Sequence, residues 1–103
     1  MKLTPGSRWK SSVCTGEAVV VRPASEAGDL ECGGVAMIAF NTERPAAAPA
    51  ISPAFAGGCL LGKRYADDRS GLEVLCTKAG EGALSYGGRL LAYRETKKLP
   101  SSD

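Results

Sequence analysis

The sequence contains no histidine among its 103 residues. That absence excludes Ser-His and Cys-His catalytic dyads, histidine-ligated zinc or iron, and acid–base catalysis by imidazole. The carboxylate pair Asp67-Asp68 does not replace it, because the residues that follow, up to Gly71, are typical of a solvent-exposed turn. With no acid–base constellation in view, we expect the protein not to be an enzyme.

Three further features are missing. No apolar run reaches the roughly 18 residues of a membrane span, and the N-terminus lacks the apolar core of a signal peptide. No run of Lys or Arg accompanies the net charge of +2, so we expect neither nucleic acid nor a membrane as partner. These absences favour a cytoplasmic protein. In that reducing compartment cysteines are more often metal ligands, reactive thiols or core residues than disulfides.

Aromatic residues are scarce, with one tryptophan, three tyrosines and two phenylalanines, so the core must rest on aliphatic side chains. Apolar residues make up 44% of the chain and charged residues 23%, as in ordinary globular proteins. Short β-branched or apolar segments separated by glycine-bearing turns predict strands over residues 17–22, 35–40, 72–77, 84–86 and 90–94. No segment keeps a helical period, so the sequence predicts an all-β fold.

The chain also contains an internal repeat. A G-x-R-aromatic motif, a Val-rich run and an L-x-x-G-G motif occur in the same order twice, beginning at Gly6 and again at Gly62. Such a repeat predicts two similar β units, packed here as a pseudo-twofold dimer. We place the first unit at residues 1–41, a Pro/Ala-rich connector at 42–58, the second unit at 59–96 and a flexible tail at 97–103.

The four cysteines are Cys14, Cys32, Cys59 and Cys76. No C-x-x-C motif is present, yet four thiolates are the number that a tetrahedral zinc or iron site requires. Other interpretations remain open at this point. The cysteines could form a two-cysteine site or a Cys14–Cys32 disulfide, or serve as small apolar core residues without a metal.

The segment around Trp9, Cys14 and the run Leu30-Glu31-Cys32-Gly33-Gly34 resembles the desulforedoxin family, which includes the N-terminal domain of desulfoferrodoxins. That family's pattern is an aromatic residue, C-x-x-C-G, a Val-rich strand and L-x-C-C-G-x-P-M. The resemblance implies a small β scaffold with dimer-like packing and one iron bound by four cysteines. It is degenerate and repeated in tandem, and it covers most of the chain.

Carried over by position, the resemblance places Cys14 and Cys32 at the second and third cysteines of the pattern. The first and fourth are occupied by Ser11 and Gly33, and the second copy has Asp67, Ser70, Tyr86 and Gly87 at the four places. Neither copy can therefore build the family's site alone.

The two cysteines outside the pattern, Cys59 and Cys76, could complete one site shared between the copies, with Cys76 falling where the first copy has Val21. We therefore predict one metal per chain on Cys14, Cys32, Cys59 and Cys76, either iron for electron transfer or zinc as a structural site. A protein partner, either a redox partner or a larger enzyme complex, is expected. The alternative is a metal-free interaction module or accessory subunit built on a retired metal-binding scaffold.

Overall fold

The computed structural model describes residues 1–46 and 49–94, and within these ranges the chain is all-β, as predicted. Ten short strands and one turn of 3-10 helix, Pro53–Phe55, make up its regular structure there. The first half contains β1 (Arg8–Lys10), β2 (Glu17–Arg22), β3 (Leu30–Cys32), β4 (Val35–Ala36) and β5 (Ile38–Ala39). The second half contains β6 (Arg64–Ala66), β7 (Glu73–Lys78), β8 (Leu84–Tyr86), β9 (Arg89–Leu90) and β10 (Ala92–Arg94).

The strands form two antiparallel sheets, and each sheet draws on both halves of the chain. The six-stranded sheet has the order β10-β6-β7-β2-β1-β5, and the four-stranded sheet has the order β4-β3-β8-β9. The halves therefore meet at the centre of each sheet, where β2 pairs with β7 and β3 with β8. Corresponding strands follow in the same order outward from that contact. The packing of the two halves as a pseudo-twofold dimer stays a prediction.

One core lies between the two sheets, and the central strands build it. Both β2 and β7 alternate buried and half-buried residues over their first four positions before their ends reach solvent. This period of two directs Ala18 and Val20 from β2, and Val74 and Cys76 from β7, into the same interior. Cys32 and Cys59 belong to that interior as well. Three of the four cysteines, Cys32, Cys59 and Cys76, are therefore part of the hydrophobic core.

Backbone hydrogen bonds fix how the two halves correspond. The N–H of Val20 donates to Ser7 O at 2.9 Å, and the N–H of Cys76 donates to Lys63 O at 2.9 Å. Cys76 therefore corresponds to Val20, and the sequence alignment with Val21 was wrong by one residue. The error arose because the glycines before the two Val-rich runs, Gly16 and Gly71, were treated as equivalent. Gly16 directly precedes the first residue of β2, whereas Leu72 lies between Gly71 and the first residue of β7.

The segment between the halves is tied to both of them. Within its described part, the N–H of Ser52 donates to Gly33 O, and Phe55 O accepts from the N–H of Ala83. The connector thus runs from the β3–β4 turn of the first half to the segment before β8. The boundaries predicted for the units stay predictions, and the predicted flexible tail at 97–103 lies outside the described residues. No helix within 1–46 and 49–94 is long and apolar enough to cross a membrane.

Candidate metal centre

The four cysteines come from four different places in the fold. Cys14 lies in the turn between β1 and β2, and Cys32 is the last residue of β3. Cys59 precedes β6 and forms an isolated antiparallel bridge with Gly80, while Cys76 lies within β7. The first half supplies one pair and the second half the other. We call this group of four residues the cysteine corner.

The sulfur atoms of the cysteine corner lie close together. Cys14 Sγ lies 3.6 Å from Cys32 Sγ, and the sulfurs of Cys14, Cys32 and Cys59 all lie within 3.4 Å of the point that a Cβ at Gly16 would occupy. Two thiolates on one tetrahedral zinc, with bonds of about 2.3 Å, are about 3.8 Å apart, so the measured pair lies close to ligand spacing. All four are free cysteines.

Three glycines keep side chains away from the sulfurs. A Cβ atom at Gly16 would lie 3.1 Å from Cys59 Sγ, 3.3 Å from Cys32 Sγ and 3.4 Å from Cys14 Sγ. A Cβ at Gly80 would lie closest to the backbone N of Gly16 and 2.8 Å from Cys14 Sγ, and a Cβ at Gly82 would lie 2.7 Å from the backbone N of Gly33 and 3.0 Å from Cys32 Sγ. None of the three glycines has a positive φ, so the backbone conformation does not require glycine there. The close approach of sulfur atoms, and at Gly80 and Gly82 of neighbouring backbone as well, leaves little space for a side chain.

Polar contacts around the sulfurs come mainly from the backbone. The N–H of Gly16 donates to Cys14 Sγ at 3.4 Å, a contact of the kind that supports a thiolate ligand. The thiols of Cys32 and Cys76 donate to the carbonyls of Gly82 and Lys78, at 3.4 and 3.2 Å. These two thiols therefore face carbonyl oxygens.

The turn that carries Cys14 is held by Ser11, which stands at the first cysteine position of the family pattern. The buried Ser11 Oγ accepts from the N–H groups of Val13 and Cys14, both at 3.1 Å. The hydroxyl thereby orders the turn instead of supplying a thiolate. Serine at this position is a positioning residue for Cys14.

The electrostatics of the cysteine corner favour charge on two of its sulfurs. Hydrogen bonds, first from Cys32 and then from Cys76, hold the pKa of Cys59 at about 3. The same bonds with Cys59, together with burial, raise the pKa of Cys32 and Cys76. For Cys14, burial raises the pKa, but hydrogen bonds from Ser11 and from the backbone outweigh it and leave the pKa lowered. Metal ligation needs thiolates, and the corner favours them at Cys14 and Cys59 but opposes them at Cys32 and Cys76.

The donor set fits a soft metal ion, although the side chains are arranged as a hydrogen-bonded thiol cluster. Within 1–46 and 49–94, no group of three or more His, Cys, Asp or Glu side chains already takes a metal-holding arrangement. The Cys32 and Cys76 thiols are turned toward carbonyl oxygens instead.

The corresponding place in the second half has a different chemistry. Asp67 follows β6 as Ser11 follows β1, and its side chain is only 5% exposed. Its carboxylate accepts from Ser70 Oγ at 2.6 Å and from Arg89 Nη2 at 2.8 Å. The Arg89 guanidinium, with the Ser70 hydroxyl, holds the pKa of Asp67 at about 2. We call Asp67, Ser70, Tyr86 and Arg89 the polar corner.

The expectation of a solvent-exposed turn at Asp67-Asp68 was thus half wrong, because Asp68 is exposed and Asp67 is buried. The deciding partner, Arg89, is distant in sequence. Sequence analysis also missed the glycines that border the sulfurs, Gly16, Gly80 and Gly82. The short Gly80-Glu81-Gly82 segment directly after β7 was the available signal.

No protein-family model matches the chain, and no characterised protein or solved structure is significantly similar to it. The resemblance to the desulforedoxin family therefore stays a prediction.

Proposed function

We propose that this protein binds one zinc or iron ion through the thiolates of Cys14, Cys32, Cys59 and Cys76. The observation that carries the proposal is the convergence on Gly16, where a Cβ would lie within 3.4 Å of three sulfur atoms from both halves of the chain. Sulfurs gathered this closely could converge on one small ion. Four soft thiolates are the donors that zinc and iron prefer at a tetrahedral site.

The role of such an ion follows from its ligands. Four protein thiolates complete a tetrahedral shell, so no position is left for a substrate or a water nucleophile. Zinc would act as a structural site that links the first half, through Cys14 and Cys32, to the second half, through Cys59 and Cys76. Iron in the same site would carry one electron at a time and would require a redox partner protein. Either role suits a reducing cytoplasm, where the thiols stay available.

Cobalt titration tests the site directly. Reduced, metal-free protein titrated anaerobically with Co²⁺ should develop thiolate-to-cobalt charge-transfer absorption and visible bands of tetrahedral cobalt, with an end point of about one ion per chain. Ser70→Ala is the matched control, because Ser70 stands in the polar corner where Cys14 stands in the cysteine corner. Its titration should match that of the wild-type protein. A wild-type titration without charge-transfer bands would refute the proposal.

A second candidate, a metal-free interaction module, is favoured by apolar side chains in the turn that follows Cys59. Leu60 and Leu61 are 57% and 65% exposed, although buried partners would stabilise both. The two candidates differ in their response to a chelator. A melting temperature unchanged by chelation would favour the module, whereas a large drop would favour the metal site.

A further inference from the structure

The four sulfurs differ in their access to solvent. Cys32, Cys59 and Cys76 are buried, and only Cys14 is partly exposed. Cys14 also lies in a turn between strands, where the backbone has fewer ladder hydrogen bonds than in β3 or β7. A small oxidant arriving from solvent therefore meets the sulfur of Cys14 first.

A resolving thiol stands next to it. Cys32 Sγ is 3.6 Å from Cys14 Sγ, and a disulfide of about 2.05 Å needs the two atoms to approach by only about 1.5 Å. The other two cysteines are held more firmly. Cys59 exchanges two backbone hydrogen bonds with Gly80, and Cys76 lies inside the central strand β7.

We propose that Cys14 and Cys32 form a peroxide-responsive disulfide that releases the metal. The release step rests on the proposed metal site, whereas the disulfide step does not need a metal. The Cys14 thiolate attacks one oxygen of a hydroperoxide, forms a sulfenic acid and expels hydroxide or alkoxide. Cys32, having lost its thiol proton to solvent, then attacks the Cys14 sulfur, and a second hydroxide leaves as the S–S bond forms.

The electron balance is complete. The two sulfurs lose two electrons together, the hydroperoxide gains them, and solvent protons neutralise the two expelled anions. Only Cys59 and Cys76 then remain as thiolates, so half of the tetrahedral donor set is lost and the ion leaves. A dithiol reductant reverses the reaction by returning the two electrons.

The test uses the full chain loaded with zinc and treated with hydrogen peroxide. A chromogenic chelator follows zinc release, and peptide mapping locates the disulfide. We expect about one zinc released per disulfide formed, with the bond between Cys14 and Cys32. A first disulfide between Cys59 and Cys76, or release of zinc without any disulfide, would overturn the inference.

Two variants show which cysteine reacts with peroxide first. They are compared as metal-free proteins, so that the loss of a metal ligand in either variant does not affect the result. Cys32→Ser lacks the resolving thiol, so it should accumulate a sulfenic acid at Cys14 that dimedone traps. Cys14→Ser should be labelled several-fold more slowly at Cys32, because that sulfur is buried. Equal labelling of both variants would contradict the inference.

The zinc content measured before peroxide is added separates the two proposals. Protein that binds no zinc but forms the Cys14–Cys32 disulfide would refute the metal site and support the disulfide step. Protein that binds zinc but never forms this disulfide would support the metal site and refute the switch.

Discussion

The cysteine corner and the polar corner occupy corresponding places in the two halves of the chain, yet they balance charge in different ways. In the polar corner the buried carboxylate of Asp67 is neutralised by Arg89, so the protein itself supplies the cation. In the cysteine corner, hydrogen bonds from Ser11, the backbone and the other thiols lower the pKa of Cys14 and Cys59. Among the described residues, no Lys or Arg side chain contributes to those bonds.

The residues that precede β2 and β7 also differ between the two halves, in the size of their side chains. Gly16 O accepts from the N–H of Ser11, and Leu72 O accepts from the N–H of Asp67, both at 2.8 Å, so the two residues correspond. The side chain of Leu72 is fully buried in the second half. The first half has only a hydrogen atom at that place, and the sulfurs surround it. One half fills this place with a leucine side chain, and the other surrounds it with sulfur atoms.

The largest effect is expected when Cys76 is replaced by the residue that corresponds to it in the first half. Cys76→Val keeps an apolar side chain of similar size in β7 but removes one of four ligands. Metal affinity should fall by more than about 100-fold, because the loss of a ligand exceeds the 10–100-fold cost of losing a ligand's supporting contacts. Isothermal or competition titration with zinc measures the change.

The reciprocal variant, Val20→Cys, serves as the control, since it adds a thiol at the corresponding position of β2. Its metal content should equal that of the wild-type protein. If Cys76→Val binds metal as tightly as the wild-type protein, Cys76 is only a core residue and the four-thiolate site is wrong.

The polar corner should respond to acid instead of metal. The pKa of Asp67 is about 2 in the folded protein against an ordinary value of 3.8, so its contribution to stability is complete above about pH 4. As the pH falls from about 4 to 2, the carboxylate protonates and about 2 kcal/mol of unfolding free energy is lost. Urea unfolding of metal-free protein at pH 5 and pH 2.5 measures this loss. Asp67→Asn should remove that part of the pH dependence, and an unchanged pH profile would contradict the assignment.

A smaller effect is expected at the space beside the sulfurs. In metal-free protein the thiols can yield by a few tenths of an ångström to a methyl group in Gly16→Ala, whereas ligands fixed around an ion cannot. Metal binding should therefore weaken by about tenfold, at the lower end of the 1–3 kcal/mol that overpacking costs. The control is Gly57→Ala, whose Cβ would have its nearest neighbour at 4.0 Å. Equal zinc affinity in the two variants would refute a space requirement.

The smallest effect is expected outside both corners. Arg64 and Glu73 form an ion pair of 3.3 Å between the neighbouring strands β6 and β7, and the Arg64 side chain is half exposed. Arg64→Gln should change the unfolding free energy by less than about 1 kcal/mol, because solvent screens such pairs. Chemical denaturation of metal-free protein measures it. A loss of more than about 1 kcal/mol would contradict this expectation and show that the ion pair is not screened by solvent.

The strands most readily predicted from sequence were those with clear local patterns. Glu17–Arg22 and Leu84–Tyr86 were predicted with their observed bounds. The run 35–40 was predicted as one strand, but it divides at Met37, where the chain passes from the four-stranded to the six-stranded sheet. Apolar character continues across that break, so hydrophobic periodicity cannot reveal it.

The candidate site shows a similar limit. The number of cysteines pointed to a shared cluster, but the role of the bordering glycines was missed, because Gly16 and Gly80 become neighbours only through the pairing of β2 with β7. The three-residue strands β1, β3 and β6 were missed for the same reason. Each contains a charged residue, and its strand structure depends on the strands beside it.

The central claim is most directly tested by elemental analysis and a visible spectrum of the full chain, purified under reducing conditions without added metal. We expect about one equivalent of zinc without colour, or about one equivalent of iron with thiolate charge-transfer bands. A folded protein with four reduced thiols and less than about 0.2 equivalents of any metal would contradict it, and the cysteines would then be core residues.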